Sequence, residues 1–342
     1  MRGRRLRAIA ASPENDRDRG DALGPTLTQD ATPMPTARKT LSILALAASL
    51  CTACGESQPP PAPVPARAAP APVRIPPGAQ EFQTDHYAIF STAAARRTVQ
   101  VAAAVEALHR AYGRFFDLPA AAADAPRLKL ILYRDKHEFS QYNTSMPWAE
   151  AFYRKPYCHA YYADGGGNPY HWMLHEATHQ LNAERAGMAT AKWINEGLAT
   201  YFGTSRLENN RLSPGRIDPD TYPIWWVDDL QLSGSLQRDL DEGRLIELRK
   251  LIDGTGPDIG GRYLNTYYIE YWSLSHFLFH YQDGKYASAY RGLIRGNGSL
   301  KEFEAALGPV EGVQQQWYDY LLERQAELAL QEQAVPATAI RR

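Results

Sequence analysis

Two short stretches of this chain carry its clearest pattern: H-E-A-T-H at residues 175–179 and W-I-N-E-G-L-A at residues 193–199. Side chains four residues apart on an α-helix lie on one face, so the rings of His175 and His179 can meet at one metal ion. Two imidazoles and one carboxylate are a known catalytic ligand set for zinc, and they leave one position for water. Glu176 directly follows the first ligand and can take a proton from that water. The first stretch therefore predicts a zinc site with Glu176 as its general base.

The second stretch contains the candidate for the third ligand, Glu196. It lies 17 residues after His179, which leaves room for the first helix to end, with Gly187 as its C-cap, and for a second helix to begin. Most glutamates are solvated on a helix surface. The neighbours of Glu196 are apolar, however, and a carboxylate buried among them needs a partner or a metal. We therefore favour Glu196 as a metal ligand.

A third histidine, His171, continues the four-residue spacing of the first helix. His171 and His179 would be about 12 Å apart along the helix axis, too far to bind one ion. The pair His171 and His175 encloses no glutamate, whereas the pair His175 and His179 encloses Glu176. The second pair is therefore the predicted chelate, and His171 is expected either in the first turn beside the cleft or on the surface.

Both stretches resemble the gluzincin clan of zinc metallopeptidases. The resemblance is closer to the peptidase MA-like families of the bacterial envelope, which combine an HExxH helix with a segment such as K-W-I-N-E-G-L-A at residues 192–199. It implies an α+β, thermolysin-like fold with an N-terminal mixed-sheet lobe, which includes the active-site helix, and a helical C-terminal lobe. It also implies one Zn²⁺ ion held by His175, His179 and Glu196, Glu176 as the catalytic base, and a peptide or protein substrate.

The resemblance says less about the residues around the metal. Thermolysin-like enzymes place an Asp one turn after the ligand Glu to orient a ligand His, but Thr200 occupies that position here, so the outer shell must differ. Tyr268 matches the family's Tyr-x-x-x-Trp pattern with Trp272, which implies that Tyr268 stabilises the oxyanion. His276 and His280 are four residues apart without an intervening Glu. We expect them in the core or on the surface, although a role as oxyanion donor stays open.

The chain before residue 81 predicts export. Residues 1–33 have no apolar periodicity, and Met34 suits the true start. Residues 34–54 resemble a lipoprotein signal peptide, with a short basic segment, about ten apolar residues, too few to span a bilayer comfortably, and small residues before Cys54. Residues 55–80 form a Pro/Ala-rich linker. These features predict a bacterial envelope protein, periplasmic or surface-facing, anchored to a membrane by a lipid on Cys54; an uncleaved hydrophobic anchor is the alternative.

Charge and cysteine content give no support to nucleic-acid-binding or disulfide-stabilised classes of protein. Lys and Arg total 37 against 38 for Asp and Glu, which gives no indication of nucleic-acid binding, and no obligate protein partner is predicted. Of three cysteines, two lie in the export segment. Cys158 has no partner for a disulfide, and because hydrolysis by zinc-activated water needs no thiol nucleophile, we expect a buried structural residue.

The remaining chain predicts one large domain over residues 81–330 and a loose tail over residues 331–342. Alternation and helical spacing predict, in order, a strand, a helix, a strand, a short helix and two strands before the metal helix, at residues 82–91, 98–116, 128–133, 135–142, 152–153 and 157–162. If the last of these is an edge strand, Cys158 to Tyr162 would bind peptide by strand addition. An aromatic, loop-rich segment at residues 214–232 is expected to wall the cleft, and helices follow from Leu245.

The sequence thus predicts a zinc-dependent hydrolase, most directly a gluzincin-type metallopeptidase in which Glu176 takes a proton from zinc-activated water and passes it to the leaving amine. Two alternatives stay open. One is a zinc-containing envelope scaffold or binding protein that is catalytically silent. The other is a zinc hydrolase of a non-peptide or cell-wall bond, because the motif determines the water chemistry and not the acyl group.

Overall fold

A mixed five-stranded sheet forms the N-terminal part of the fold. The computed structural model describes residues 73–122, 124–143, 149–162 and 168–334. The strands of this sheet are β1 (Gln80–Gln83), β2 (Tyr87–Ser91), β3 (Leu128–Tyr133), β4 (Ala151–Arg154) and β5 (Tyr157–Tyr161). Their spatial order is β1-β2-β3-β5-β4; the three central strands are parallel, and each outer strand is antiparallel to its neighbour.

The rest of the described chain is mainly helical. The α-helices are α1 (Ala95–Phe115), α2 (Lys136–Tyr142), α3 (His171–Gln180), α4 (Lys192–Gly203), α5 (Leu236–Asp241), α6 (Leu248–Asp253), α7 (Leu264–His280), α8 (Ala287–Arg295), α9 (Leu300–Leu307) and α10 (Val310–Ala334). A two-stranded hairpin, β6 (Ser205–Glu208) and β7 (Arg211–Ile217), follows α4. The predicted α+β class, with a mixed sheet followed by a helical part, is confirmed.

The central strands of the sheet are buried on both faces, because successive side chains of a strand point to opposite sides. One face, which includes Leu130 and Cys158, belongs to the main core together with residues of α1 and α3. The other face, which includes Ile131 and Phe152, packs around Phe139 of α2. The buried, unpaired thiol of Cys158 agrees with the prediction. This two-sided burial explains why L-K-L-I-L-Y at residues 128–133 is an almost continuous apolar strand.

The single strand predicted at residues 82–91 is wrong, because β1 and β2 form an antiparallel hairpin. Its turn depends on Thr84, whose backbone N–H donates to the carbonyl of Tyr87 at 2.9 Å and whose hydroxyl accepts from the N–H of Tyr87 at 3.0 Å. The Thr84 hydroxyl donates in turn to Glu106 of α1 at 2.7 Å. The turn is thus stabilised by a residue 22 positions away, which strand alternation does not reveal.

The position of β5 corrects the predicted substrate strand. β5 pairs with β3 on one side and β4 on the other, so residues 158–161 have no free edge for an added strand. The edge strand on this side of the described sheet is β4. The error has a simple cause: the strand nearest the metal helix in sequence is one position inside the sheet.

The described helices and strands run from β1, which begins at Gln80, to α10, which ends at Ala334. Of the segments predicted before residue 81, residues 1–33, residues 34–54 and most of the linker at residues 55–80 lie outside the described residues; β1 begins at Gln80. At the other end, α10 runs to Ala334, four residues into the predicted tail. No helix within the described ranges has the length and apolar composition needed to cross a membrane.

Helix α7 contains a fully buried carboxyl group, that of Glu270. One oxygen accepts from the backbone N–H of Ile246 at 2.6 Å, and the other has no hydrogen-bond partner among the described residues. Burial raises the pKa of Glu270 well above its ordinary value, although the Ile246 hydrogen bond opposes this. The folded protein therefore keeps a proton here that the unfolded chain releases above its ordinary pKa.

Because the folded pKa is raised, the contribution of Glu270 to stability is complete below the unfolded pKa and is lost as pH rises. We expect Glu270→Gln, which is neutral at every pH, to become increasingly more stable than wild type above about pH 4.5, by up to about 1.4 kcal/mol per pH unit. Urea unfolding of both proteins between pH 5 and pH 8 measures this difference. A difference that stays constant between pH 5 and pH 8 would mean that the carboxyl is already ionised in the folded protein.

Candidate metal centre

Helix α3 presents His175 and His179 on one face, and their rings meet edge to face with centroids 4.8 Å apart. The two Nε2 atoms are 3.2 Å apart. Thr178 lies between them in sequence on another face, where its hydroxyl donates to the carbonyl of Leu174. A π-helical turn at Leu181–Arg185 extends the helix to its C-cap, Ala186. The predicted cap, Gly187, is the next residue, and its φ of +61° is the left-handed conformation in which helices commonly end.

Helix α4 brings Glu196 to the same point. One Glu196 oxygen, Oε2, is 3.5 Å from Nε2 of His175 and 3.6 Å from Nε2 of His179. Glycines allow α4 to approach its neighbours closely. A Cβ on Gly197 would lie 2.2 Å from Oγ of Ser275 on α7, and one on Gly203 would lie 3.2 Å from Cβ of His175 on α3. The Gly that follows Glu196 in the motif is therefore a helix-packing residue.

His175, Glu176 and His179 form a group that could hold a metal ion, because their ligand-type atoms lie within 4.8 Å of one another. Glu176 and Glu196 compete for the third position. Oε1 of Glu176 is 4.0 Å from Nε2 of His175, farther than Oε2 of Glu196 is from either imidazole. Distance thus favours Glu196 beside the two imidazoles and leaves Glu176 at the margin of the group.

The atoms of His175, His179 and Glu196 also fit the geometry of zinc. Their separations are 3.2, 3.5 and 3.6 Å. Tetrahedral ligands with bonds of about 2.0–2.2 Å lie about 3.3–3.6 Å from one another. Oε2 of Glu196 is buried and has no hydrogen-bond partner among the described residues, an arrangement that is costly for a carboxylate unless a cation balances it.

Without an ion, the site holds a charged pair. Burial disfavours the imidazolium of His179, but the carboxylate of Glu196 overcomes this and raises the pKa of His179 to about 9. Burial likewise opposes ionisation of Glu196, and the two histidines, His179 most strongly, bring the pKa of Glu196 well below its ordinary value. A cation held here would replace the proton of His179, as is usual where metal ligands must be deprotonated.

Asparagine side chains lie beside and behind His179. Thr200 does not serve it, because its hydroxyl donates to the carbonyl of Glu196 at 2.7 Å. The Asn195 amide lies beside His179 and helps to raise its pKa, although Nδ1 of His179 makes no hydrogen bond of ordinary geometry. Asn182 donates to Oδ1 of Asn195 at 2.9 Å and accepts from the hydroxyl of Tyr112 at 2.7 Å. These side chains fix the position of Asn195.

Tyr268 of α7 lies next to the group, with its ring centroid 5.9 Å from that of His175. Burial, and then the charges of Glu196 and Glu176, raise the pKa of Tyr268 well above its ordinary value. Its hydroxyl therefore keeps its proton and can act as a hydrogen-bond donor near both carboxylates.

Aromatic residues form one wall of the site. The ring of Tyr222 stacks on Trp172 at 4.7 Å, lies 5.4 Å from the Tyr268 ring, and has its pKa raised by burial and by the charge of Glu196. The segment at residues 214–232 thus contacts the site through Tyr222, which sequence analysis did not single out. The aromatic composition of this segment predicted that it would line the cleft, but no motif singled out Tyr222.

The other histidines lie in different surroundings. His171 is the first residue of α3 and is buried, so its predicted place in the first turn is confirmed and the surface alternative is wrong. Its Nδ1 donates to the carbonyl of Asn168 at 2.7 Å. Both nitrogens of His276 are engaged, with the hydroxyl of Tyr320 at 2.6 Å and the carbonyl of Gly215 at 2.9 Å. His280 contacts the hydroxyl of Tyr201 at 2.9 Å. With both nitrogens of His276 occupied, Tyr268 is the better-placed donor.

Comparison with known proteins adds no assignment, because neither the protein-family models nor the curated proteins include a match to this chain.

Proposed function

We propose that this protein is a zinc-dependent hydrolase, most directly a metallopeptidase of the gluzincin type with the corresponding thermolysin-like fold. The observation that supports this most strongly is the convergence of three ligand atoms from two helices at separations of 3.2–3.6 Å, with Glu176 beside them. A buried pair of imidazoles with a carboxylate oxygen that lacks a hydrogen-bond donor suits a cation better than a structural hydrogen-bond network.

The proposed role of each residue follows from its position in the site. His175, His179 and Glu196 would hold one Zn²⁺ ion. When bound, that ion supplies Lewis acidity, which polarises a carbonyl and lowers the pKa of a water molecule. Glu176 accepts the proton of the attacking water and gives it to the leaving amine. Its carboxylate is free for this role because it is farther from the imidazoles than Glu196 is.

Peptide substrates would add to the edge strand β4 and not to the internal strand β5. β4 is antiparallel to β5, and α3 packs against both strands, so a chain paired with β4 would run beside the metal helix. Backbone pairing of this kind binds extended peptides with little dependence on sequence.

Tyr268 is proposed to donate a hydrogen bond to the oxyanion that develops during attack. We expect Tyr268→Phe to lower kcat by about 10²–10³-fold, as loss of one oxyanion donor does elsewhere, with KM and zinc content nearly unchanged. Tyr267→Phe is the matched control on the same helix, because the hydroxyl of Tyr267 donates to the carbonyl of Pro257 at 2.6 Å. An unchanged kcat in Tyr268→Phe would remove Tyr268 from the mechanism.

The envelope location is proposed on the sequence of residues 34–54 alone, with Cys54 as the lipid-bearing residue. It would place the site in the periplasm or at the cell surface, at the end of a Pro/Ala-rich tether.

The test of the function is the zinc content of the purified full chain together with hydrolysis of a mixed peptide library. We expect about one zinc ion per chain and zinc-dependent cleavage that a chelator abolishes and added zinc restores. Zinc without cleavage of any peptide would favour the scaffold, or a hydrolase of ester or cell-wall bonds, which the same preparation can be assayed for. A chain that binds no zinc contradicts the proposal.

A further inference from the structure

Three arginines line one pocket between α1 and the β6–β7 hairpin. Arg110 and Arg114 lie four residues apart on one face of α1, and Arg211 is the first residue of β7. Together they line an open cavity of about 310 Å³, whose remaining lining residues are Ala107, Asn210 and Leu212. None of these residues belongs to the proposed metal centre.

Glu106, one turn before Arg110 on α1, compensates little of the positive charge at this pocket. Glu106 is 3.8 Å from the Arg110 guanidinium, beyond hydrogen-bond distance. The Glu106 carboxylate is instead engaged by the hydroxyl of Thr84 at 2.7 Å, and by the backbone N–H and the ring of His86, both at 2.8 Å. The Arg110 guanidinium otherwise donates to the backbone carbonyl of Asn210 at 3.4 Å, and that carbonyl carries no charge. The positive charge of Arg110 is therefore only weakly compensated.

The hairpin also leaves Arg211 without a counter-charge. Glu208 is the direct cross-strand partner of Arg211 in the β6–β7 register. Its carboxylate nevertheless contacts Arg206 at 3.5 Å and Arg216 at 3.2 Å. Within the described part of the chain, Arg211 and Arg114 form no ion pair. All three arginines are exposed at the surface, and three like charges around one open cavity make the local potential positive, which favours binding of an anion.

The chemistry of the pocket favours a phosphate group. Guanidinium groups bind the oxygens of phosphate in pairs, through parallel N–H donors. The cavity is at the small end of the range for ligand sites, and it is open, which suits the charged end of a larger molecule. Ala107 and Leu212 offer apolar contact to whatever the phosphate is attached to. The chain as a whole has a net charge of −1, so this cluster is not part of a generally basic surface.

We propose that Arg110, Arg114 and Arg211 form a binding site for a phosphate ester, either a soluble one or the headgroup of an anionic lipid. The inference does not depend on the proposed hydrolase activity, because it uses neither the metal nor Glu176.

The test uses the full chain, titrated calorimetrically with inorganic phosphate and glycerol phosphate, and sedimented with phosphatidylglycerol or phosphatidylcholine vesicles. We expect saturable binding to glycerol phosphate or to the phosphatidylglycerol vesicles, weakened at least tenfold in the double variant Arg114→Gln/Arg211→Gln. Binding to glycerol phosphate identifies a soluble ester as the source, and binding to the phosphatidylglycerol vesicles alone identifies a lipid headgroup.

The matched control is Arg96→Gln/Arg238→Gln, which removes two exposed positive charges outside the pocket and should bind as wild type does. Circular dichroism checks that both double variants are folded. Equal weakening in the control, or the absence of saturable binding to every probe, would overturn the proposal.

Discussion

Glu176→Gln is expected to reduce hydrolysis by about 10²–10⁴-fold while leaving zinc binding intact, because Glu176 is proposed as a general base and not as a ligand. Glu176 lies one residue after His175, and its oxygen is 4.0 Å from the Nε2 atom of that histidine, so an amide in its place would keep the shape of the site without accepting a proton. The measurement is kcat together with zinc content on the same preparation. The combination of retained zinc and lost turnover separates a base from a ligand.

The matched control for Glu176→Gln is Glu323→Gln, which changes a glutamate on α10 whose side chain is 67% exposed. It should alter neither zinc content nor kcat. If Glu176→Gln lost zinc, Glu176 would be the third ligand in place of Glu196, and if it kept both zinc and full turnover, another residue would have to be the base.

Glu196→Ala is expected to have the second large effect, on both metal affinity and stability. Glu196 is proposed as a direct ligand, so its loss should weaken zinc binding by more than the 10–100-fold typical of a residue that only contacts a ligand. In the metal-free protein the variant also leaves His179 without its counter-charge. Breaking a buried ion pair costs up to about 3–5 kcal/mol of unfolding free energy, and the cost is smaller at a pH where His179 releases its proton instead.

Competition with a zinc chelator and urea unfolding of the metal-free protein measure these two effects. Asn195→Ala provides the comparison, because Asn195 precedes Glu196 on α4 and lies beside His179. Its zinc affinity should fall by about 10–100-fold. Equal losses in the two variants would contradict the assignment of Glu196 as a direct ligand.

The sequence predicted the elements whose signal is local. The spacing of His175 and His179 is a property of any helix, and the apolar residues around Glu196 required its burial wherever the helix packed. The strand at residues 128–133 and the helix that follows it were predicted for the same reason, since each depends on the periodicity of its own side chains.

The order of the strands in the sheet and the residues that contact the site could not be predicted, because both depend on contacts between parts of the chain far apart in sequence. Nothing in the sequence of Y-C-H-A-Y at residues 157–161 indicates that β4, which precedes it in the chain, lies outside it in the sheet. The turn that divides residues 82–91 into two strands is stabilised by the hydrogen bond from Thr84 to Glu106 of α1. Tyr222 reaches the site from a loop with no motif.

Sequence alone predicted which residues could meet at a metal ion, Glu196 included, because helical periodicity and the burial of a carboxylate act within a few turns of chain. The fold was needed to show that Oε2 of Glu196 lies 3.5–3.6 Å from both imidazoles, that Asn195 and not Thr200 lies beside His179, and that β4 is the edge strand. Those outcomes depend on how α3, α4 and the sheet pack against one another. Such packing is set by many side chains far apart in the chain, and no short pattern records it.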